Sequence, residues 1–174
     1  MESSSATPPP EEDESIKHAK DALYEIKADI VAKFDDIKLD TKQKLENINE
    51  VMKETIEKTV DKTKKELDPE ILKIGEEAKQ KVSHLHEQTI ATLEKLWKGS
   101  ASAIKTIGNT ANAALNSESV EAYISEIINS IEAVFKELLE YFDTLVTYIL
   151  QEQQIFIEKM KIKLNSDTYI LFYL

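Results

Sequence analysis

From Phe34 to Leu67 the chain sets an apolar residue or a threonine at a regular interval: Phe34, Ile37, Thr41, Leu45, Ile48, Met52, Ile56, Thr59, Thr63 and Leu67. The steps run three, four, four and then start again, so the pattern closes every eleven residues. Eleven residues over three turns give about 3.67 per turn, close to the 3.6 of a relaxed α-helix. A seven-residue repeat would wind the apolar side around the helix, whereas this spacing keeps it almost straight. It suits a helix lying along a surface, whether lipid or the flank of other helices.

The same track extends backwards through Ile30, Ile26, Leu23, Ala19 and Ile16, which predicts one helix from about residue 16 to Leu67. Leu67-Asp68-Pro69-Glu70 then predicts a kink or short turn at 68–69. Asp68 suits a helix cap, and Pro69 suits a first helical position, where no amide hydrogen is needed. A second helix follows to about residue 97, with Ile71, Ile74, Ala78, Val82, Leu85, Thr89, Leu93 and Leu96 on one face. The eleven-residue amphipathic region therefore covers 16–98.

Charges almost vanish over residues 99–118, which are rich in Ser, Thr, Ala and Asn. Gly99 and Gly108 each disfavour a helix by about 1 kcal/mol relative to alanine. The stretch predicts a weakly helical connector, the alternative being a helix that inserts between loosely packed lipids. Residues 119–165 then predict a long helix with a much wider apolar face, including Ile124, Ile127, Ile131, Phe135, Leu138, Phe142, Leu145 and Ile149. A wide face implies burial against more than one neighbour. Asn165-Ser166 reads as the helix stop, leaving residues 166–174 as an apolar tail. Residues 1–15, dominated by Ser, Pro and Glu, predict a disordered acidic tail. The expected fold is all-α, an elongated antiparallel helical bundle of long amphipathic helices.

Composition narrows the function. Three glycines and four prolines in 174 residues leave few places to turn. The chain has no cysteine and no arginine, so thiolate chemistry and bidentate guanidinium clamps are excluded. The net charge is −11, and over 16–66 twelve lysines balance twelve acids. No region is strongly basic, which points away from nucleic acid. The acidic start lacks the features of a secretory signal, and no run of about 18 apolar residues suggests a membrane span. These features point to a cytoplasmic chain, free or peripheral on a lipid surface.

Catalytic and metal motifs are missing. His84 and His86 sit two apart, which places them on opposite sides of a helix, whereas a metal pair needs spacing of three or four. Neither a phosphate loop, a calcium loop nor a zinc-protease helix appears. The reading is of a protein that is not an enzyme and takes no cofactor and no metal.

Charged residues follow the apolar track. Asp35, Glu46, Glu57 and Asp68 recur every eleven residues, as do Lys42, Lys53 and Lys64. These lysines fall about 65° from Phe34, Leu45 and Ile56, at the edge of the apolar face. There their methylenes can cover apolar surface while the ammonium groups reach water or anionic headgroups.

The in-phase pairs Phe34-Asp35, Leu45-Glu46, Ile56-Glu57 and Leu67-Asp68 resemble the eleven-residue repeats of perilipins, synucleins, exchangeable apolipoproteins and group 3 late-embryogenesis proteins. His18-Ala19-Lys20 in an acidic amphipathic start also resembles insect apolipophorin III. The resemblance implies reversible lipid binding by a helical bundle that opens. The leading expectation is a lipid-facing stripe of Phe34, Ile37, Leu45, Ile48, Met52, Ile56 and Leu67, bordered by Lys42, Lys53 and Lys64. The alternative is a helical scaffold or homo-oligomer that pairs partner helices through the 120–164 face. Thr41, Thr59 and Thr63 favour lipid, because a wet interface tolerates hydroxyls better than a tight core does.

Overall fold

The computed structural model describes residues 14–62, 68–115 and 118–173, all of them helical. They form α1 (Glu14–Lys62), α2 (Asp68–Leu115) and α3 (Glu118–Tyr173). The fold is all-α, with three long helices packed against one another. Residues 1–13, which make up most of the predicted acidic tail, lie outside the described residues, as do Thr63, Lys64 and Leu67.

Two predicted boundaries change. The expected connector over 99–118 is instead the C-terminal part of α2, which continues to Leu115. Tertiary packing explains this: Ile104 is fully buried, and helical stability in proteins comes mainly from such packing rather than from propensity. The expected stop at Asn165-Ser166 does not end α3, whose backbone stays helical to Tyr173. Asn and Ser are only mildly unfavourable inside a helix and do not terminate one as proline does.

Burial along each helix falls at eleven-residue intervals. On α1, Leu23, Phe34, Leu45 and Ile56 are fully buried, and Ile30, Thr41 and Met52 form a second buried series. On α2 the corresponding series are Ile71, Val82, Leu93 and Ile104, and Ala78, Thr89 and Ser100. The widest face belongs to α3, with three series: Val120, Ile131, Phe142 and Gln153; Ile124, Phe135, Val146 and Ile157; and Ile127, Leu138, Ile149 and Met160. Eleven residues advance a helix by three turns plus only about 20°, so each series stays on the side facing its neighbours.

The helices contribute to two compact units. The first takes Met1–Phe34 with Glu94–Lys136, and the second takes Asp35–Leu93 with Glu137–Leu174. In the first unit one aromatic ring from each helix meets at the core. Phe34 and Trp97 both pack on Phe135, with ring centroids 6.4 Å and 6.1 Å away. The neighbours Trp97–Phe135 and Gly108–Ile124 show that α2 and α3 run antiparallel here. Phe34–Phe135 and Lys20–Tyr123 show that α1 and α3 run parallel.

The second unit repeats these directions. Thr41 faces Thr89 while Met52 and Ile56 cluster with Ile71 and Ala78, which sets α1 antiparallel to α2, and Asn49 faces Glu152, with Lys53 over Phe156, which sets α1 parallel to α3. Among the described residues its core includes two clusters. Leu45, Val82, Val146 and Ile149 form one, and Met52, Ile56, Ile71, Ala78, Ile157 and Met160 form the other. Burying each large side chain is worth roughly 1.5–3 kcal/mol, so these clusters supply the main drive for closure.

Candidate functional site

The predicted lipid-facing stripe lies inside the two units. Phe34, Leu45, Met52 and Ile56 are buried, Ile37 and Ile48 are half-buried, and Leu67 lies outside the described residues. The predicted partner face of α3 is likewise turned inward. Ile124, Ile127, Ile131, Phe135, Leu138, Phe142 and Ile149 are buried, and Leu145 packs half-buried against the Leu45 cluster. Both predicted faces are thus occupied by helices of the same chain.

The boundary lysines divide. Lys53 is half-buried, with its Nζ 5.8 Å from the centre of the Phe156 ring. Lys42 is exposed, with its Nζ 4.0 Å from Glu46, and Lys64 lies outside the described residues. Two lysines outside the boundary set also sit over aromatic rings of α3. Lys38 lies 4.4 Å from the centre of Tyr141 and Lys20 lies 5.6 Å from that of Tyr123. The signal was absent from sequence because a lysine–ring contact joins residues about a hundred positions apart.

The apolar core of the second unit is interrupted by polar groups. Thr41 and Thr89 are buried, with their hydroxyl oxygens 3.3 Å apart. Thr41 therefore has a protein partner, which removes it from the argument for a wet interface. Thr59 donates to the backbone carbonyl of Thr55 at 2.8 Å, and Thr63 is not described. Further along, Asn49 and Gln153 are both buried. Asn49 Nδ2 donates to Glu152 Oε2 at a long 3.5 Å, while Asn49 Oδ1 and Gln153 Nε2 have no hydrogen-bond partner. A buried polar atom left unpaired costs about 1–3 kcal/mol, so this level opposes closure locally.

His86 is half-buried and His84 exposed, consistent with their opposite sides. His86 Nε2 lies 3.2 Å from Asp143 Oδ1, but the angles do not make a hydrogen bond, so the contact is one of proximity. Among the described residues no group of His, Asp or Glu could hold a metal ion. The grooves are open to solvent: about 690 Å³ beside Glu76, Gln80 and His84, about 590 Å³ at Trp97, Lys105 and Ile128, about 180 Å³ between α1 and α2 at Ile48, Val51, Met52 and Ile74, and about 150 Å³ at Lys53, Ile155 and Phe156. Burial, followed by the charges of Glu126 and Asp21, raises the Tyr123 hydroxyl above its ordinary pKa.

The fold and these surfaces define an all-α protein of three long amphipathic helices. No described helix is long and apolar enough to cross a membrane. Comparison of the chain with protein-family models, curated proteins and solved structures finds no match.

Proposed function

We propose that the protein is non-enzymatic and binds lipid surfaces reversibly, its helices turning their inward tracks from one another to lipid. The observation that carries this reading is the pairing of long, straight apolar tracks with a polar break in the closed core. The longest track on each helix holds four residues over three repeats and turns only about 20° per repeat, so a long stretch of helix can lie flat on an apolar surface. The closed state already bears the cost of the unpaired Asn49 and Gln153 atoms. A helix lying at the headgroup boundary keeps its apolar side chains buried and gives those groups access to interfacial water, which the closed core does not. A large apolar area is then exchanged for a similar one, and the polar level favours the open form.

The test uses a lock. The chain has no cysteine, and the Thr41 and Thr89 hydroxyls lie close enough that cysteines in their place would bridge α1 and α2. The oxidised T41C/T89C protein should float with liposomes much less than the reduced protein, and reduction should restore flotation. Equal flotation of locked and reduced protein would refute opening, and no flotation of the wild-type chain would refute lipid binding altogether. The alternative, a scaffold pairing through the 120–164 face, requires a partner helix to displace α1 or α2 from α3. Light scattering of the lipid-free protein separates the two, since a stable dimer indifferent to lipid supports the scaffold.

A further inference from the structure

The inference below rests on the lipid-surface reading and concerns where the closed protein first makes contact. The inward tracks are covered, so first contact must come from an outer face. Tyr148, Ile155 and Ile162 on the outside of α3 in the second unit are 56%, 52% and 69% exposed. They stand seven residues apart, two turns less about 20°, so they form one nearly straight line about 21 Å long. This line is separate from the eleven-residue tracks, which contain none of its three residues.

Cations gather at one end of the line. Lys159, Lys161 and Lys163 follow one another with no carboxylate among them, and none of the three joins an ion pair among the described residues. Lys53 and Lys159 border the groove formed by Ile155 and Phe156. Two carboxylates lie along the line, Glu152 in the lining of that groove and Glu158, and each is held by neutral donors that leave its charge in place, so the cationic part is the 159–163 end. Glu152 accepts from the Tyr148 hydroxyl at 2.9 Å and from Asn49, and Glu158 accepts from Gln154 Nε2 at 3.1 Å.

We infer that this outer line of α3 is the docking face for anionic lipid headgroups, with Ile155 and Ile162 entering the apolar edge and the lysines meeting phosphate. A chain of net charge −11 approaches an anionic surface only through a locally cationic face. An apolar line rimmed by lysines is the surface that interfacial binding requires. A second copy fits less well. Laid antiparallel about Ile155, it sets Lys159 and Lys163 opposite Gln151 and Thr147; laid parallel, it sets lysine against lysine.

The experiment floats the full chain with vesicles of phosphatidylcholine, alone or mixed with phosphatidylserine. The variants are I155S/I162S, K159Q/K161Q/K163Q and a control, L39S/L72S, which removes exposed leucines from α1 and α2. All the changed side chains lie outside the core series, and circular dichroism verifies that helicity is retained. Wild-type and control proteins should float with the mixed vesicles, and both α3 variants should lose about tenfold or more of the bound fraction. If the α3 variants float as the wild type does, this docking face is wrong while the lipid reading stands. If the wild-type chain floats with neither vesicle, both fail. Should I155S/I162S halve the mass of the lipid-free protein, the line is covered by a second copy and the inference is overturned.

Discussion

One substitution, glycine to alanine, should have three different outcomes at three points of α2. In an exposed helix interior the change favours folding by roughly 0.5–1 kcal/mol, because alanine restricts the unfolded chain more. At Gly99 a new Cβ meets nothing within 4 Å, so Gly99→Ala should realise that gain in full. At Gly75 the Cβ would overlap the Cδ1 methyl of Ile157, while Cγ1 stays 3.4 Å away. The methyl can swing aside at an off-rotamer cost of order 0.5–1.5 kcal/mol, which leaves Gly75→Ala near neutral. At Gly108 the Cβ would overlap Ile124 Cδ1 and also reach within 2.5 Å of Cγ1. Turning the outer methyl cannot clear Cγ1, so the helices must part or Ile124 must change rotamer. Overpacking of this kind costs about 1–3 kcal/mol, which exceeds the helix gain. Gly108→Ala should therefore destabilise by about 1 kcal/mol. Urea unfolding followed by circular dichroism measures the order 99 above 75 above 108, provided the slope with denaturant is unchanged. Trp97 fluorescence reports the unit that holds Gly108. In an Ile124→Ala background the sign at Gly108 should reverse, because the Cβ then fills space. If Gly108→Ala instead raised the midpoint as much as Gly99→Ala, the close approach of α2 and α3 there, and the packing built on it, would be refuted.

Three other outcomes follow from the same structure. Phe142→Ala should cost about 3–5 kcal/mol, because the ring is fully buried, whereas Ile162→Ala on the outer line should stay within about 0.5 kcal/mol; equal effects in thermal unfolding would contradict the burial pattern. Replacing Asn49 with Leu and Gln153 with Met together should stabilise the closed protein by about 1–3 kcal/mol by removing unpaired groups. On the proposed mechanism the same pair of changes should weaken flotation, and a double variant that is more stable yet floats better would contradict it. Tyr148 should ionise above the ordinary tyrosine value of 10.0, first because its hydroxyl donates to Glu152 and then because of that carboxylate's charge. Its folded-state pKa is raised, so any linked stability is present below the unfolded value and lost as pH rises through the folded one. Glu152→Gln should bring the titration back toward 10, as read from the Tyr148 ring signals in an alkaline NMR series.

Much of the fold follows from local spacing. The steps between Phe34 and Ile56 identify a straight amphipathic helix, and Phe34, Thr41, Leu45, Met52 and Ile56 are buried, with Ile37 and Ile48 half-buried, because an apolar face must be covered. The wide face of Ile124 to Ile149 marks α3 as the helix with the broadest buried surface, and it packs against both α1 and α2. Tyr148, Ile155 and Ile162 look no different in sequence from the inward isoleucines beside them, since exposure is decided by which neighbours arrive.

The sequence by itself determined three things: that the chain is helical, that its apolar sides run straight, and that cysteine and arginine chemistry are excluded. Each is a matter of residue identity or of spacing within a few turns, where the α-helix imposes its own period. Tertiary structure alone decided that residues 99–115 continue α2, that Gly75 and Gly108 are contact points rather than weak links, and that Thr41 meets Thr89. It also left Asn49 and Gln153 with unpaired atoms in the core. These outcomes depend on residues far apart in the chain coming within a few ångströms, and close packing lets such distant pairs override the local preference of either one.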